Sequence, residues 1–258
     1  IVARNTDIAM SGGVIEMPTG NSNLTTDLSD DHPISFQYDS TLVLQDTDLI
    51  NPGQLPHEIK LDANQELQCT TCHDAHDNTN GFFLVMNNRN NLCKACHTKN
   101  YGNITEHNDC TSCHQPHSSP SGPYLMNRAD VSNTCITCHG PAGPGIDISG
   151  DVSKFSIHDT SSAGGGGVHN SDCADCHEPH SMKTGTATAP DIQPQMGHIT
   201  GITASGGFID IANYQYEVCF KCHSDNAVTS PIVPRQIVQN NTRYEFDPSA
   251  ASFHPVQA

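Results

Sequence analysis

The sequence predicts a chain of mostly irregular coil with short helices and little β-sheet, held together by bound groups more than by a core of its own side chains. Three observations lead there. Aromatic residues make up only 5% of the 258 residues and tryptophan is absent, while glycine and proline number 20 and 16. Such a chain buries too little apolar surface to offset its conformational entropy unaided. All 12 cysteines fall into Cys-x-x-Cys pairs, and each pair is followed at once by histidine.

The six runs are Cys69-Thr-Thr-Cys72-His73, Cys93-Lys-Ala-Cys96-His97, Cys110-Thr-Ser-Cys113-His114, Cys135-Ile-Thr-Cys138-His139, Cys173-Ala-Asp-Cys176-His177 and Cys219-Phe-Lys-Cys222-His223. Cys-x-x-Cys-His is the attachment signature of c-type haem. Both thiols sit within one turn of chain and form thioether bonds to the porphyrin edge, and the next residue offers its imidazole to the iron. A zinc ribbon or a thioredoxin-like site also uses Cys-x-x-Cys, but neither needs the following histidine. A disulfide framework would not impose one pentapeptide six times. Six haems amount to one per 43 residues. The fold class sharpens to coil and short helices wrapped around a stack of six covalent c-type haems, with the apo-chain largely unfolded.

The chain reads as one multihaem unit over 1–258. An N-terminal arm (1–68) precedes haem modules one and two (69–139). Module three (140–223) carries a Gly-rich loop at Gly164–Gly167 and a Thr/Gly/Pro-rich insertion around 183–207. A C-terminal arm (224–258) follows. The motifs form three pairs, and only the first member of each carries a second histidine: His73-Asp-Ala-His76, His114-Gln-Pro-His117 and His177-Glu-Pro-His180. Modules one and two also share Gly81/Gly122, Phe83/Tyr124 and Leu84/Leu125 at equal offsets, with second motifs at +24 and +25. This is a structural repeat. Short helical turns are expected at the motifs, a longer helix over Ile209–Phe220 with Asp210 as its cap, and a short strand from Thr41 to Leu44.

Histidine, at 16 residues, is at twice its usual level or more. Beyond the six proximal residues His73, His97, His114, His139, His177 and His223, ten remain to supply six distal ligands. His76, His117 and His180 are the first candidates. Three residues after a proximal histidine, each lies on the same side of the turn. It cannot reach the far face of its own haem, but it can reach an adjacent one. Module two has His107 upstream and module three has His169 and His158. Module one has His32 or His57. All six irons are expected to be bis-histidine, with His57 and His198 as non-ligands together with one of His158 and His169. Methionine is the other axial candidate, but the six methionines occupy no matching repeat positions. Met86 and Met126 read as packing residues.

A formal net charge of −17 excludes nucleic acid as a partner, because phosphate binding needs a basic face. No apolar run approaches a membrane span. No charged apolar leader is visible, as expected of a mature exported chain. Haem c is attached outside the cytoplasm, so the expected location is extracellular or cell-surface, with the periplasm as the alternative.

The run from Cys69 to His97, with its Cys-His-x-x-His start and Asn-Leu-Cys-x-x-Cys-His finish, resembles the doubled Cys-x-x-Cys-His family of multihaem cytochromes. So do Asp31-His32-Pro33-Ile34-Ser35-Phe36, Tyr216-Glu217-Val218-Cys219-Phe220-Lys221-Cys222-His223 and Ser252-Phe253-His254-Pro255-Val256. His-Pro elements in that family tend to supply ligands, which favours His32 over His57 and adds His254. Relatives often carry a further haem motif ahead of the segment like Asp7-Ile8-Ala9, where this chain has no cysteine. The resemblance implies dissimilatory or extracellular electron transfer, and some six-haem analogues form conductive surface filaments.

Three functions compete. One is a head-to-tail homopolymeric conduit, with His32 or His254 completing a haem in a neighbouring copy and passing electrons to redox proteins or extracellular acceptors. The second is a monomeric periplasmic shuttle. The third is a nitrite- or hydroxylamine-type reductase. That enzyme needs one iron with an open position, often marked by lysine in place of the proximal histidine. All six motifs here end in histidine, so no enzyme activity is expected.

Overall fold

The computed structural model describes residues 23–99, 102–122, 124–154, 157–158, 171–225 and 241–257. The Gly-rich stretch Gly164–Gly167 lies outside them. Most of the described chain is coil and turn, with short helices and two two-stranded sheets.

Five of the six motifs start within a helical turn. They are α2 (Cys69–Cys72), α3 (Arg89–Lys94), α4 (Cys110–Cys113), α5 (Val131–His139) and a 3₁₀ turn at Cys173–Asp175. The sixth begins where α7 (Gln215–Cys219) ends. Short side-chain acceptors start these turns: Asn88, Asp109, Asp130 and Asp172 each take a backbone N–H of the first turn, satisfying donors that helix geometry leaves orphaned. After α2 and α4 the chain becomes extended at His73 and His114. Each imidazole therefore projects beyond the turn that carries its cysteines.

Strand β1 (Phe36–Gln37) pairs antiparallel with β2 (Glu66–Leu67), setting Phe36 against Leu67. This ties the segment after His32 to the chain entering the first motif. Tyr38, 2% exposed, anchors the same segment, its hydroxyl donating to the Ile50 carbonyl at 2.7 Å. The expected strand over Thr41–Leu44 is instead part of helix α1 (Ser40–Gln45). The Asp39 carboxylate accepts the Leu42 N–H at 2.9 Å, and this cap outweighs the β-branched preference of Thr41 and Val43.

The expected helix over Ile209–Phe220 is realised only as α7. Phe208–Ile209 form β4, paired with β3 (Gly201–Ile202). The Ala212 N–H donates to Ile199 O, and the Ile192 N–H to Asn213 O. These tertiary bonds keep 208–213 out of a helix. Asp210 does not cap; Tyr214 takes the cap position, and Glu217 Oε2 accepts the N–H groups of Asn213 and Tyr214. Ile199, Ala212 and Val218 form a small apolar core here, flanked by Cys176, Ile192, Met196 and Ile209. A Cβ on Gly201 would lie 3.0 Å from the Ala212 methyl and 3.1 Å from Glu217 Cβ, so glycine permits this close approach.

Elsewhere large apolar side chains face outward. Phe82 and Tyr124 are each 69% exposed and Ile146 is 79% exposed. Helix α5, the longest of the described helices, buries only Thr134 completely. Such a chain does not close a core by itself. Expression without the c-type haem attachment machinery is therefore expected to yield protease-sensitive chain lacking a cooperative thermal transition. Limited proteolysis and calorimetry of haem-free protein check this; a compact, resistant apo-protein contradicts it.

Candidate haem centres

The repeat of modules one and two is visible in backbone bonds. The Asp74 N–H donates to Phe83 O and Val85 N–H to Cys72 O; the Gln115 N–H donates to Leu125 O and Asn127 N–H to Cys113 O. Aligned on the first cysteine, module two's bonds fall one residue later. This extra residue accounts for the +25 against +24 spacing of the second motifs. Phe83 thus corresponds in bonding to Leu125, not to Tyr124 as equal offsets suggested.

These loops orient the proximal imidazoles. His73 Nδ1 lies 2.9 Å from Phe82 O and His114 Nδ1 2.8 Å from Tyr124 O. Phe82 and Phe83 both adopt positive φ, +53° and +57°, an uncommon conformation for aromatic residues. That strain turns the Phe82 carbonyl on to His73. In module two's second motif, His139 Nδ1 lies 3.0 Å from Ile146 O. The loop doubles back there because Gly143 lacks a Cβ, which would collide with the Cys138 carbonyl. His177 Nδ1 lies 3.1 Å from Gln195 O. With a carbonyl as its only partner, each Nδ1 carries the proton and donates it. The Nε2 lone pair is left free for a metal.

Other histidines meet these rings one to one. Ring centroids are 6.3 Å apart for His32 and His97, and 6.1 Å for His73 and His117 and for His107 and His139. They are 6.0 Å apart for His114 and His180 and for His158 and His223. Two metal–imidazole bonds of about 2.0 Å each, with the ring half-widths, span about 6 Å between centroids. The incoming rings are prepared as the proximal ones are. His32 Nδ1 faces Pro33 O and His107 Nδ1 faces Pro179 O. His117 Nδ1 lies 2.9 Å from Asp31 Oδ1 and His180 Nδ1 2.6 Å from Glu178 Oε1. Burial, and then the neighbouring His32, hold His97 below the usual imidazole range; burial and then His180 lower His114. Neutral rings are what a metal requires. The donor set fits an iron held between two imidazoles at five positions. No group of three or more His, Cys, Asp or Glu side chains arranged for a metal ion occurs among the described residues.

The remaining histidines behave differently. His57 is exposed beside Glu58. His254 packs on Phe246 and, among the described residues, faces no other imidazole. His76 is exposed, with only its backbone N–H held, by Asp74 Oδ1. No described imidazole faces it, and none faces His177. His169 lies outside the described residues. Asp31 and Glu178, the carboxylates behind two incoming rings, were not among the candidate residues. The available signal was their position: Asp31 adjoins His32, and Glu178 lies inside the His-x-x-His run.

All twelve cysteines are free thiols here, standing for the thioether sulfurs of the haem-bound chain. Their neighbours follow chain order. Burial and then Cys96 push the Cys72 thiol up to about 11, and Cys113 is raised by burial and then Cys138. Cys176 is raised by burial and then Cys219. Cys93 is raised most by its neighbour Cys110, and Cys135 by Cys173, where α3 packs on α4 and α5 on the Cys173–Asp175 turn. The sulfurs of motifs one to six are neighbours in sequence order.

The description "Doubled CXXCH motif" matches residues 62–102 and 103–143, two tandem copies over modules one and two. These motifs mark a c-type cytochrome. They indicate covalently bound haem c and a role in electron transfer. No curated protein and no solved structure matches the chain. No helix among the described residues is long and apolar enough to cross a membrane. The ring pairs lead to a direct test: His117→Ala and His107→Ala should each convert one haem from low to high spin, and His57→Ala none. Magnetic circular dichroism and electron paramagnetic resonance read this out, and a methionine–iron charge-transfer band would contradict histidine pairing.

Proposed function

We propose that the chain binds six bis-histidine haems in sequence order and conducts electrons along them as a unit of an extracellular head-to-tail polymer. Haem c, when bound, supplies a one-electron iron couple; the protein fixes spacing and ligands. The order of the sulfurs supports a single unbranched path. The exposed Phe82, Tyr124 and Ile146 suit contact with porphyrin, since each adjoins or supplies the carbonyl behind a proximal imidazole.

One observation carries the polymer: the stagger of the His-x-x-His ligands. His117 of module two meets His73 of module one, and His180 of module three meets His114 of module two. Each first-motif haem thus takes its distal ligand from the module that follows. Continued in both directions, the rule leaves His177 awaiting a module beyond the third and His76 offering a ligand to a module before the first. A second copy satisfies both: His76 of one chain completes the haem on His177 of another. This contact is heterologous, and where the operation does not close it yields a filament. His32 is not available for this part, because it stands against His97 of its own chain; His254 is turned to Phe246.

His76→Ala should abolish assembly and leave one haem in six high-spin, with the other five unchanged. Electron microscopy and spin-state spectroscopy measure both effects. If His169→Ala instead produces the high-spin haem and the parent stays monomeric at high concentration, the protein is a soluble shuttle. A high-spin haem in the assembled parent would favour a reductase.

A further inference from the structure

The hydrogen bonds behind the distal imidazoles are of two kinds. His32 and His107 donate to the backbone carbonyls of Pro33 and Pro179, at 3.0 and 3.2 Å. The proximal His73, His114, His139 and His177 face backbone carbonyls as well. Among these distal imidazoles, His117 and His180 face carboxylates instead. Both belong to the His-x-x-His set, and both serve first-motif haems.

The two carboxylates have different origins. Glu178 directly follows His177 and accepts both the His180 backbone N–H, at 3.1 Å, and its Nδ1, at 2.6 Å. The equivalent residue of module two is the neutral Gln115, whose side-chain amide donates to the carbonyls of His117 and Ser118. There the N-terminal segment supplies the charge. The His32 N–H donates to Pro116 O and the Ser119 N–H to Asp30 O, which seats Asp31 against the module-two loop. Asp31 Oδ1 accepts from His117 Nδ1 at 2.9 Å and from the Ser118 N–H at 3.1 Å. The Asp31 side chain is only 4% exposed, and its Oδ2 is buried without a hydrogen-bond partner. Burying a carboxylate with one oxygen unsatisfied costs free energy unless a positive charge faces it.

We propose that Asp31 and Glu178 are positioning and tuning residues that give the His73 and His114 haems lower potentials than the His97 and His139 haems. A carboxylate accepting the Nδ1 proton makes the imidazole a stronger donor. It also places a poorly screened negative charge near a centre that carries one more positive charge when oxidised. Both effects favour the ferric form. A backbone carbonyl does the first weakly and the second hardly at all. Potentials should then alternate along the path, low at motifs one and three and higher at motifs two and four, so that partial reduction fills motifs two and four before motifs one and three.

The inference rests on the histidine-paired haem reading, and the experiment separates the two. Intact haem-loaded protein is compared with Asp31→Asn, Glu178→Gln and Asp31→Glu by haem count, spin state and spectroelectrochemical titration. Asn and Gln keep an acceptor while removing the charge. Asp31→Asn and Glu178→Gln should each move one low-potential one-electron component upward with every haem still low-spin, and Asp31→Glu should stay near the parent. The Asp31→Asn component should belong to the haem that His117→Ala makes high-spin. Superimposable titrations with all haems low-spin overturn the proposal and leave the haem reading intact. A parent without c-type haem absorption overturns both. If Asp31→Asn loses haem, Glu178→Gln decides alone, because that carboxylate bonds within its own motif.

Discussion

A histidine that must reach an iron has to be fixed at its other nitrogen, and much of this backbone is arranged to do that. Carbonyls of Phe82, Tyr124, Ile146 and Gln195 each stand behind a proximal imidazole. To put them there the chain accepts left-handed phenylalanines, a glycine folded tight over Cys138 and loops with little regular hydrogen bonding of their own. Coil is the consequence. A long helix or strand would spend those carbonyls on neighbouring amides and turn them away from the rings.

The stagger of ligands follows from the same local geometry. Three residues after a proximal histidine, a second imidazole cannot pass around its own porphyrin, so it turns to the preceding module. Each module therefore depends on its neighbour, as repeats do in a solenoid. Solenoids usually close their ends with atypical capping repeats. Among the described residues no imidazole faces His177 or His76, and on the proposed reading the interaction that joins modules within a chain also joins chains.

Much of this was legible in the sequence, because it is written in covalent spacing. The cysteine motifs, the first-motif histidines and the sparse regular structure follow from residue identity alone. What failed was set by a cap just outside one segment and by tertiary contact in the other. Thr41–Leu44 looks like a strand until Asp39 caps it, and Ile209–Phe220 looks like one helix until Gly201 and Ile199 draw its first half into pairing. The pairing of His32 with His97 was hidden for a related reason. It needs the antiparallel contact of Phe36 with Leu67, two short segments 31 residues apart with no pattern of their own. Asp31 and Glu178 were missed because a carboxylate beside a histidine is unremarkable in a chain with 28 acidic residues.

That acidity has a role beyond solubility. Each added electron lowers the positive charge of a haem centre, and a chain of net charge −17 already favours the oxidised state throughout. Against such a uniform background only buried charges distinguish one site from another, because exposed ones are screened over about 8 to 10 Å. Asp31 is buried and Glu178 half-buried, whereas Asp77 and Asp147 lie in open turns, bonded to the N–H groups of Thr79 and Ser149. The surface carboxylates therefore shift the whole path together, and the two behind His117 and His180 shape it. An uneven path still conducts when adjacent sites are close, since each uphill step is followed by a downhill one. Its unevenness then decides where electrons rest.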